Sequence, residues 1–374
     1  MKILFTGGGT GGHFYPIIAV AEAVHDVVRE QHLLEPSLYY AAPQPYDRDM
    51  LQANDITFVG TAAGKMRRYF SLMNIIDWFK TGWGILRSVF RIFFLYPDVV
   101  FGKGGYASFP TLLAARLFGI PVVIHESDSV PGKVNAWAGK FARKIAVSFP
   151  ETATAFPPGK VVVTGQPVRK AALHPSQEGA HQFLNLEPNV PIVFILGGSQ
   201  GSVSLNETVL AALTQLLPHY QVVHQCGEAN IGDVAGRARI IIGNSPDKDR
   251  YKPFGYLNDV AMRMSAGAAS LVVSRAGSGL FEIAAWGLPS ILVPLPDSAE
   301  DHQVKNAFTY ARTGACTVIE QNNLTPGLLT AEITRIIGNP QIAAAMSAAA
   351  KKYARTDAAE LVARMLLDIA VSHE

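Results

Sequence analysis

Cysteine is almost missing from this chain. Among 374 residues only Cys226 and Cys316 occur, far apart and without metal-ligand neighbours. That excludes a disulfide framework and fits a reducing cytoplasm. Charge is nearly balanced, at +2, so a general nucleic-acid binder is not expected. No uninterrupted apolar segment reaches the roughly 18 residues of a membrane span. The opening MKILFTGGG has no signal-peptide apolar core or cleavage site. His125, Glu126 and Asp128 stand close together, but no cysteine or further histidine completes a zinc set, so no metal is expected.

Glycine, in contrast, is plentiful at 33 residues, and hydrophobic residues make up 49%. The length suits two domains with sizeable cores. The glycines cluster where apolar runs end, which is the pattern of an α/β fold with ligand-facing turns. One such stretch runs from Ser274 to Asn306. A buried strand, Ala269 to Val273, leads into Arg275, Gly277 and Gly279, and a short apolar helix follows from about Leu280 to Trp286. Glu282 is the only acid in that helix. Amides at a helix N-terminus take phosphates and a carboxylate takes ribose hydroxyls, so this stretch suits a nucleotide.

The same theme opens the chain. The strand Lys2 to Phe5 runs into Gly7-Gly8-Gly9-Thr10-Gly11-Gly12-His13, and a helix is predicted from about Pro16 to Val28. Gly7, Gly9 and Gly12 satisfy GxGxxG, but the second strand, about Leu38 to Ala42, ends without the acid a dinucleotide site needs, so NAD is discounted. His13 sits where the loop opens. It is either a helix-capping residue or a base facing a ligand. Further on come the turn Gly102-Lys103-Gly104-Gly105-Tyr106, the strand Pro121 to Ile124 with His125, Glu126 and Asp128 at its end, and Asn135 on the next helix. Ile192 to Ser202 repeats the strand and glycine loop, after a polar linker from His174 to Pro191. The expected architecture is therefore α/β, with two Rossmann-like domains facing across a cleft. The first covers about 1–170 and the second about 190–350, with a C-terminal helix, about 355–374, packing back on the first.

Residues 65–103 are unusual. Leu72, Ile76, Phe79, Trp83, Leu86, Phe90 and Phe93 recur at steps of three and four, on one helical face. Seven bases, Lys65, Arg67, Arg68, Lys80, Arg87, Arg91 and Lys103, face two acids, Asp77 and Asp98, a local charge of +5. An apolar stripe flanked by bases suits an anionic membrane surface. The deeper part of the stripe is expected in the core. The loop 64–72, with Arg67, Arg68, Tyr69 and Phe70, is the membrane-contact candidate.

Taken together, GGGTGGH at 7–13, GKGGYASFP at 102–110, HESDSVPG at 125–132, GQPVR at 165–169, GGSQGS at 197–202, and SRAG with DHQVKNA make an ordered set. With it the chain resembles, end to end, the MurG family of bacterial N-acetylglucosaminyltransferases (glycosyltransferase family 28). The resemblance implies a GT-B fold and transfer of GlcNAc from UDP-GlcNAc, with inversion, to lipid I, the undecaprenyl-diphosphate-linked MurNAc-pentapeptide. The product would be lipid II, made peripherally on the cytoplasmic face of the plasma membrane. UDP-GlcNAc is then a substrate, no cofactor is tightly bound, and other cell-wall synthesis proteins are expected partners. By the same resemblance, Thr10, Gly11 and Gly12 border the donor sugar and acceptor. Asp128, where many members have Asn, contacts the sugar, and Arg169 and Ser199 match donor-binding positions. Leu257 offers backbone to the uracil, Glu282 holds the ribose, and Gln303 and Asn306 close on the donor. Gly104, Gly105 and Tyr106 are assigned to the acceptor side.

No Asp-x-Asp metal motif stands out, so amides at 199–202 and the following helix dipole would carry the UDP charge. The general base is expected to be His13, held neutral by the helix N-terminus, with Asp128 and Glu126 behind it as the rival. The segment from Arg275 to Glu282 is one residue shorter than the family pattern. Two other functions use the same features: a UDP-GlcNAc 2-epimerase-like enzyme, and a UDP-sugar-binding module without catalysis.

Overall fold

In the computed structural model the chain divides into two compact units, residues 1–169 with 355–374, and residues 170–354. The structure describes residues 1–8, 10–62, 73–198, 200–296, 298 and 301–373. Each unit is built on one sheet of parallel strands.

In the first unit the strands are β1 (Lys2–Thr6), β2 (Ser37–Ala42), β3 (Ile56–Gly60), β4 (Val99–Gly102), β5 (Val122–Glu126), β6 (Lys144–Val147) and β7 (Val161–Val163). Their order is β3-β2-β1-β4-β5-β6-β7. The central strands read as near-continuous apolar runs because helices cover both faces. Strand order reverses between β1 and β4, and a crevice at the carboxyl ends of such a pair is where open α/β sheets bind ligands. The glycine loops of β1 and β4 both end there.

The C-terminal helix Ala358–His373 lies on the Gly11–Glu30 helix. Val362, Ala363, Leu366 and Ala370 join Ile17, Val20 and Val24 in one core, and Arg364 reaches Glu30 at 2.6 Å.

The second unit repeats the plan with β8 (Ile192–Leu196), β9 (Gln221–Gln225), β10 (Tyr251–Phe254), β11 (Leu271–Ser274), β12 (Ser290–Leu292) and β13 (Cys316–Val318). The order β10-β9-β8-β11-β12-β13 puts its switch between β8 and β11. Both orders are the Rossmann order, so each sheet has one such crevice.

Several local expectations are corrected. The first helix starts at Gly11 rather than near Pro16, which lies inside the helix and forgoes the bond its N–H would make to the Gly12 carbonyl. β5 continues through His125 and Glu126, so these are buried strand residues rather than loop groups. The supposed linker, His174 to Pro191, carries the short helix Ala180–Phe183, and both it and the preceding short helix Lys170–Leu173 lie inside the second unit. There the Trp286 indole N–H donates to the Ala172 carbonyl at 2.6 Å.

The largest correction concerns the Met73–Leu95 helix. Its aromatic stripe does not enter the core: Trp83, Leu86, Phe90 and Phe93 are each more than half exposed, with Phe94 beside them. The face turned inward is Gly84, Ser88 and Ile92. A Cβ on Gly84 would lie 1.6 Å from the Ala62 carbonyl oxygen, so the helix is pressed against backbone at its small residues. With close contact reserved for small side chains, the bulky ones are left outside. Lys103, counted by sequence among the surface bases, is 2% exposed.

Candidate active site

In the first unit, β1 delivers the chain to Gly7 and Gly8, and the helix beginning at Gly11 carries His13 in its first turn. Thr10 is exposed, and its Oγ1 lies 3.0 Å from His13 Nδ1. The loop after β4 comes up against this turn. Gly104 and Gly105 have φ of 86° and 77°. A Cβ on Gly105 would be 3.1 Å from the Gly8 carbonyl and 3.4 Å from His13 Cε1, and one on Gly104 would be 2.8 Å from the Asn135 amide nitrogen. Only glycine combines those dihedrals with that approach. Tyr106 then opens a single helical turn, and Tyr40 donates from its hydroxyl to the Gly7 carbonyl at 2.7 Å.

The third wall follows β5. Glu126 is buried, and its carboxylate accepts from the Asp128 N–H at 3.1 Å, the Gly132 N–H at 3.0 Å and the Asn135 amide at 2.9 Å. It clamps the 127–132 turn that carries Asp128. Burial raises its pKa, and the Asp128 carboxylate raises it further. His125 is wholly buried with Nε2 2.9 Å from the Gly165 carbonyl; burial holds it neutral, well below the usual histidine range. Asp128 is half-buried, and its carbonyl accepts from Thr152 Oγ1 at 3.0 Å. Arg169 stacks its guanidinium over the Tyr15 ring, 4.5 Å from the centroid, on the first helix. Thr10, Gly11, Gly12, His13, Gly104, Gly105, Tyr106 and Asp128 thus all belong to the loops around the β1, β4 and β5 ends.

In the second unit the loop after β8 reaches Ser202, whose hydroxyl caps the Val203–Leu216 helix by accepting from the Leu205 N–H at 3.3 Å. Ser199 lies outside the described residues. Arg275, half-buried after β11, donates to Ser202 Oγ, to the Gln321 side chain at 2.7 Å and to the Val293 carbonyl at 3.0 Å. It braces three loops at the β8–β11 switch. Leu257 is buried, and its N–H donates to Gln225 Oε1 at 3.3 Å, which fixes the turn after β10. Glu282 is half-buried in the first turn of the Gly279–Trp286 helix. Gln303 and Asn306 lie within the His302–Ala311 helix. Gln303 Oε1 accepts from the Leu295 N–H at 3.0 Å, and the buried Asn306 amide donates to the Ala276 carbonyl at 3.2 Å. Both tie this helix to the turns ending β11 and β12. Backbone donors, a helix N-terminus and one carboxylate around a switch point are the parts of a nucleotide site.

Two family models divide the chain as the two sheets do. The glycosyltransferase family 28 N-terminal domain matches residues 3–147, and the family 28 C-terminal domain matches residues 192–362. The chain belongs to glycosyltransferase family 28. A relative from Treponema denticola is 36% identical over 340 residues, 87% of this chain and 85% of its own length. It is named a UDP-N-acetylglucosamine–N-acetylmuramyl-(pentapeptide) pyrophosphoryl-undecaprenol N-acetylglucosamine transferase. Among solved structures, MurG of Acinetobacter baumannii is similar with a TM-score of 0.72 and 26% identity, covering 98% of this chain and 99% of that one. The UDP-GlcNAc 2-epimerase of Neisseria meningitidis, solved with UDP-GlcNAc bound, has a TM-score of 0.66 at 15% identity, over 98% of this chain and all of that one, a likeness of fold alone. The fold of this family 28 enzyme is GT-B, an α/β architecture of two Rossmann-type sheets.

Sequence reasoning misses two residues at these sites. Lys103 reads as one base in a basic segment, and nothing in its spacing distinguishes a buried ammonium from a solvated one. Gln225, which anchors Leu257, closes the short β9 strand, and a polar residue at the end of a buried strand was the available signal. Arg67, Arg68, Tyr69 and Phe70 fall outside the described residues.

Proposed function

We propose that this family 28 enzyme transfers N-acetylglucosamine from UDP-GlcNAc to lipid I, with inversion, giving lipid II for peptidoglycan. The observation that carries the substrates is the 36% identity, along most of both chains, to a relative whose name states that transfer. In this reading the second unit holds the donor. The amides before the Val203–Leu216 helix and its dipole take the diphosphate, Glu282 takes the ribose, and Arg275 keeps the loops in register. The first unit holds the acceptor, with Gly104 and Gly105 allowing close approach.

His13 is the general base. In this reading Nδ1–H donates to Thr10 Oγ1, and Nε2, on the Gly105 side, takes the acceptor hydroxyl's proton. Asp128 orients the sugar from the facing turn.

The lipid acceptor asks for a membrane-facing surface, and the inverted Met73–Leu95 helix offers one. Phe90 and Phe94 rings lie 4.7 Å apart, Phe93 and Phe94 5.3 Å, and Phe93 meets Phe118 of the neighbouring segment at 5.8 Å. Exposed Leu117 and Arg116 extend the patch, and Arg87 lies on the same helix. So large an exposed apolar patch with basic neighbours fits peripheral binding to an anionic leaflet, the cytoplasmic one. No described helix is long and apolar enough to cross a membrane.

Labelled UDP-GlcNAc with a lipid I analogue tests the reading. Label in the lipid is expected. Label in UDP-ManNAc would make the chain an epimerase, and UDP binding without turnover would make it a module.

A further inference from the structure

At the β8–β11 switch two polar side chains are left incompletely satisfied. Ser202 is 8% exposed and stands directly before the Val203–Leu216 helix. A serine hydroxyl accepts two hydrogen bonds and donates one. Both acceptances are taken here, one by the Leu205 N–H at 3.3 Å and one by the Arg275 guanidinium. Neither bond uses the hydroxyl proton. It is confined to the remaining direction, away from both donors, and no described protein atom accepts it. Arg275 lacks a counter-charge in the same corner. Its three hydrogen bonds go to Ser202 Oγ, the Gln321 side-chain oxygen and the Val293 carbonyl, all of them neutral. Burial lowers its pKa from the usual arginine value, and no carboxylate among the described residues offsets that. The N-terminus of a 14-residue helix lies alongside and adds positive potential.

We propose that the Ser202 hydroxyl is a ligand donor: it hydrogen-bonds a phosphate oxygen of the bound nucleoside diphosphate, with Arg275 as the positioning residue that turns it. The inference rests on the donor-site reading of the second unit, and adds a side-chain contact to the backbone amides. A phosphate oxygen suits the place for two reasons. It accepts without bringing a donor of its own, and it carries the negative charge that the guanidinium and the helix end lack. Arg275 acts through Ser202. By taking the second lone pair it leaves the hydroxyl one orientation, so the contact is set before the ligand arrives. Gln321 and Val293 in turn hold the guanidinium from the turns after β13 and β12. Three strand ends therefore fix the direction of one O–H.

Calorimetry on Ser202→Ala and Ser202→Asp, with UDP and with uridine as ligands, tests this. Alanine removes the hydroxyl. Aspartate keeps an acceptor for the Leu205 N–H and a partner for Arg275, and it caps helices well, but as a carboxylate it has no proton to donate. If Ser202 only caps the helix and holds Arg275, aspartate is an adequate substitute. If it contacts phosphate, aspartate is the worse of the two. Ser202→Ala is expected to weaken UDP about 10- to 100-fold, the loss of one hydrogen bond to a charged group, and uridine less than about twofold. Ser202→Asp is expected to weaken UDP further, with a urea midpoint at or above that of Ser202→Ala. Equal weakening of UDP and uridine by Ser202→Ala, or wild-type UDP affinity in Ser202→Asp, overturns the proposal. If Ser202→Ala does not fold, Ser202→Asp decides: a loss confined to UDP supports the contact, and an equal loss of uridine overturns it. Wild type that transfers sugar, with both ligands weakened alike in Ser202→Ala, refutes the role of Ser202 and keeps the transferase reading. A loss confined to UDP in a protein that transfers no sugar does the reverse.

Discussion

Replacing Trp83 and Phe90 together by glutamine should release the protein from anionic vesicles without unfolding it. The two side chains are 64% and 65% exposed. An aromatic side chain buries about 150–250 Å² when fully covered, so roughly 100–160 Å² of each is available to lipid. At about 25 cal/mol per Å², full insertion would be worth ~2.5–4 kcal/mol per side chain. Insertion to half depth in the headgroup region leaves ~1–2 kcal/mol each. The double change should therefore weaken vesicle partition by about 2–4 kcal/mol, centred near a hundredfold. Glutamine is a good helix former and both side chains are mostly exposed, so folding stability should change by less than ~0.5 kcal/mol. Co-sedimentation with vesicles containing phosphatidylglycerol, beside urea unfolding of the same samples, measures both. Unchanged partition would remove this face from the membrane. A large stability loss would mean that it is covered by the protein itself.

His13→Ala should lower kcat by about 10²–10⁴ while UDP affinity, measured by calorimetry, stays near wild type. If kcat survives but Asp128→Ala abolishes it, the base is Asp128 and His13 only caps its helix. Gly105→Ala should cost roughly 1–3 kcal/mol and most of the activity, because φ of 77° with ψ of 161° is nearly closed to other residues; an active, stable variant would contradict the close packing of that loop on His13. Burial pushes His224 down from 6.5 to about 3, so its stabilising contribution is complete above pH 6.5 and is lost as pH falls towards 3. The second unit should thus lose about 2 kcal/mol between pH 7.5 and pH 5, read by denaturant unfolding, and His224→Gln should flatten that slope.

The architecture was readable because each glycine loop follows an apolar run: Lys2–Thr6 before Gly7, Ile192–Leu196 before Gly197, Leu271–Ser274 before Gly277. Motif positions such as His13, Gly104, Gly105 and Asp128 could be named, since few residue types suit such turns. Burial was not readable where it contradicts residue type. Lys103 is inside, with its ammonium on Ser127 Oγ, and Phe90 is outside because Gly84 and Ser88 take the contact. Helical period alone identifies a stripe and leaves open which side faces the protein. Strands β3 and β6 are hard to find because Ile56–Gly60 and Lys144–Val147 are short and lack a following glycine loop.

The central claim is the transfer itself. Purified protein incubated with UDP-GlcNAc and lipid I in anionic vesicles should yield a lipid heavier by one N-acetylhexosamine, in β-linkage by NMR, with UDP released in equal amount. Unaltered lipid I with UDP-ManNAc accumulating, or an α-linked product, would contradict the account.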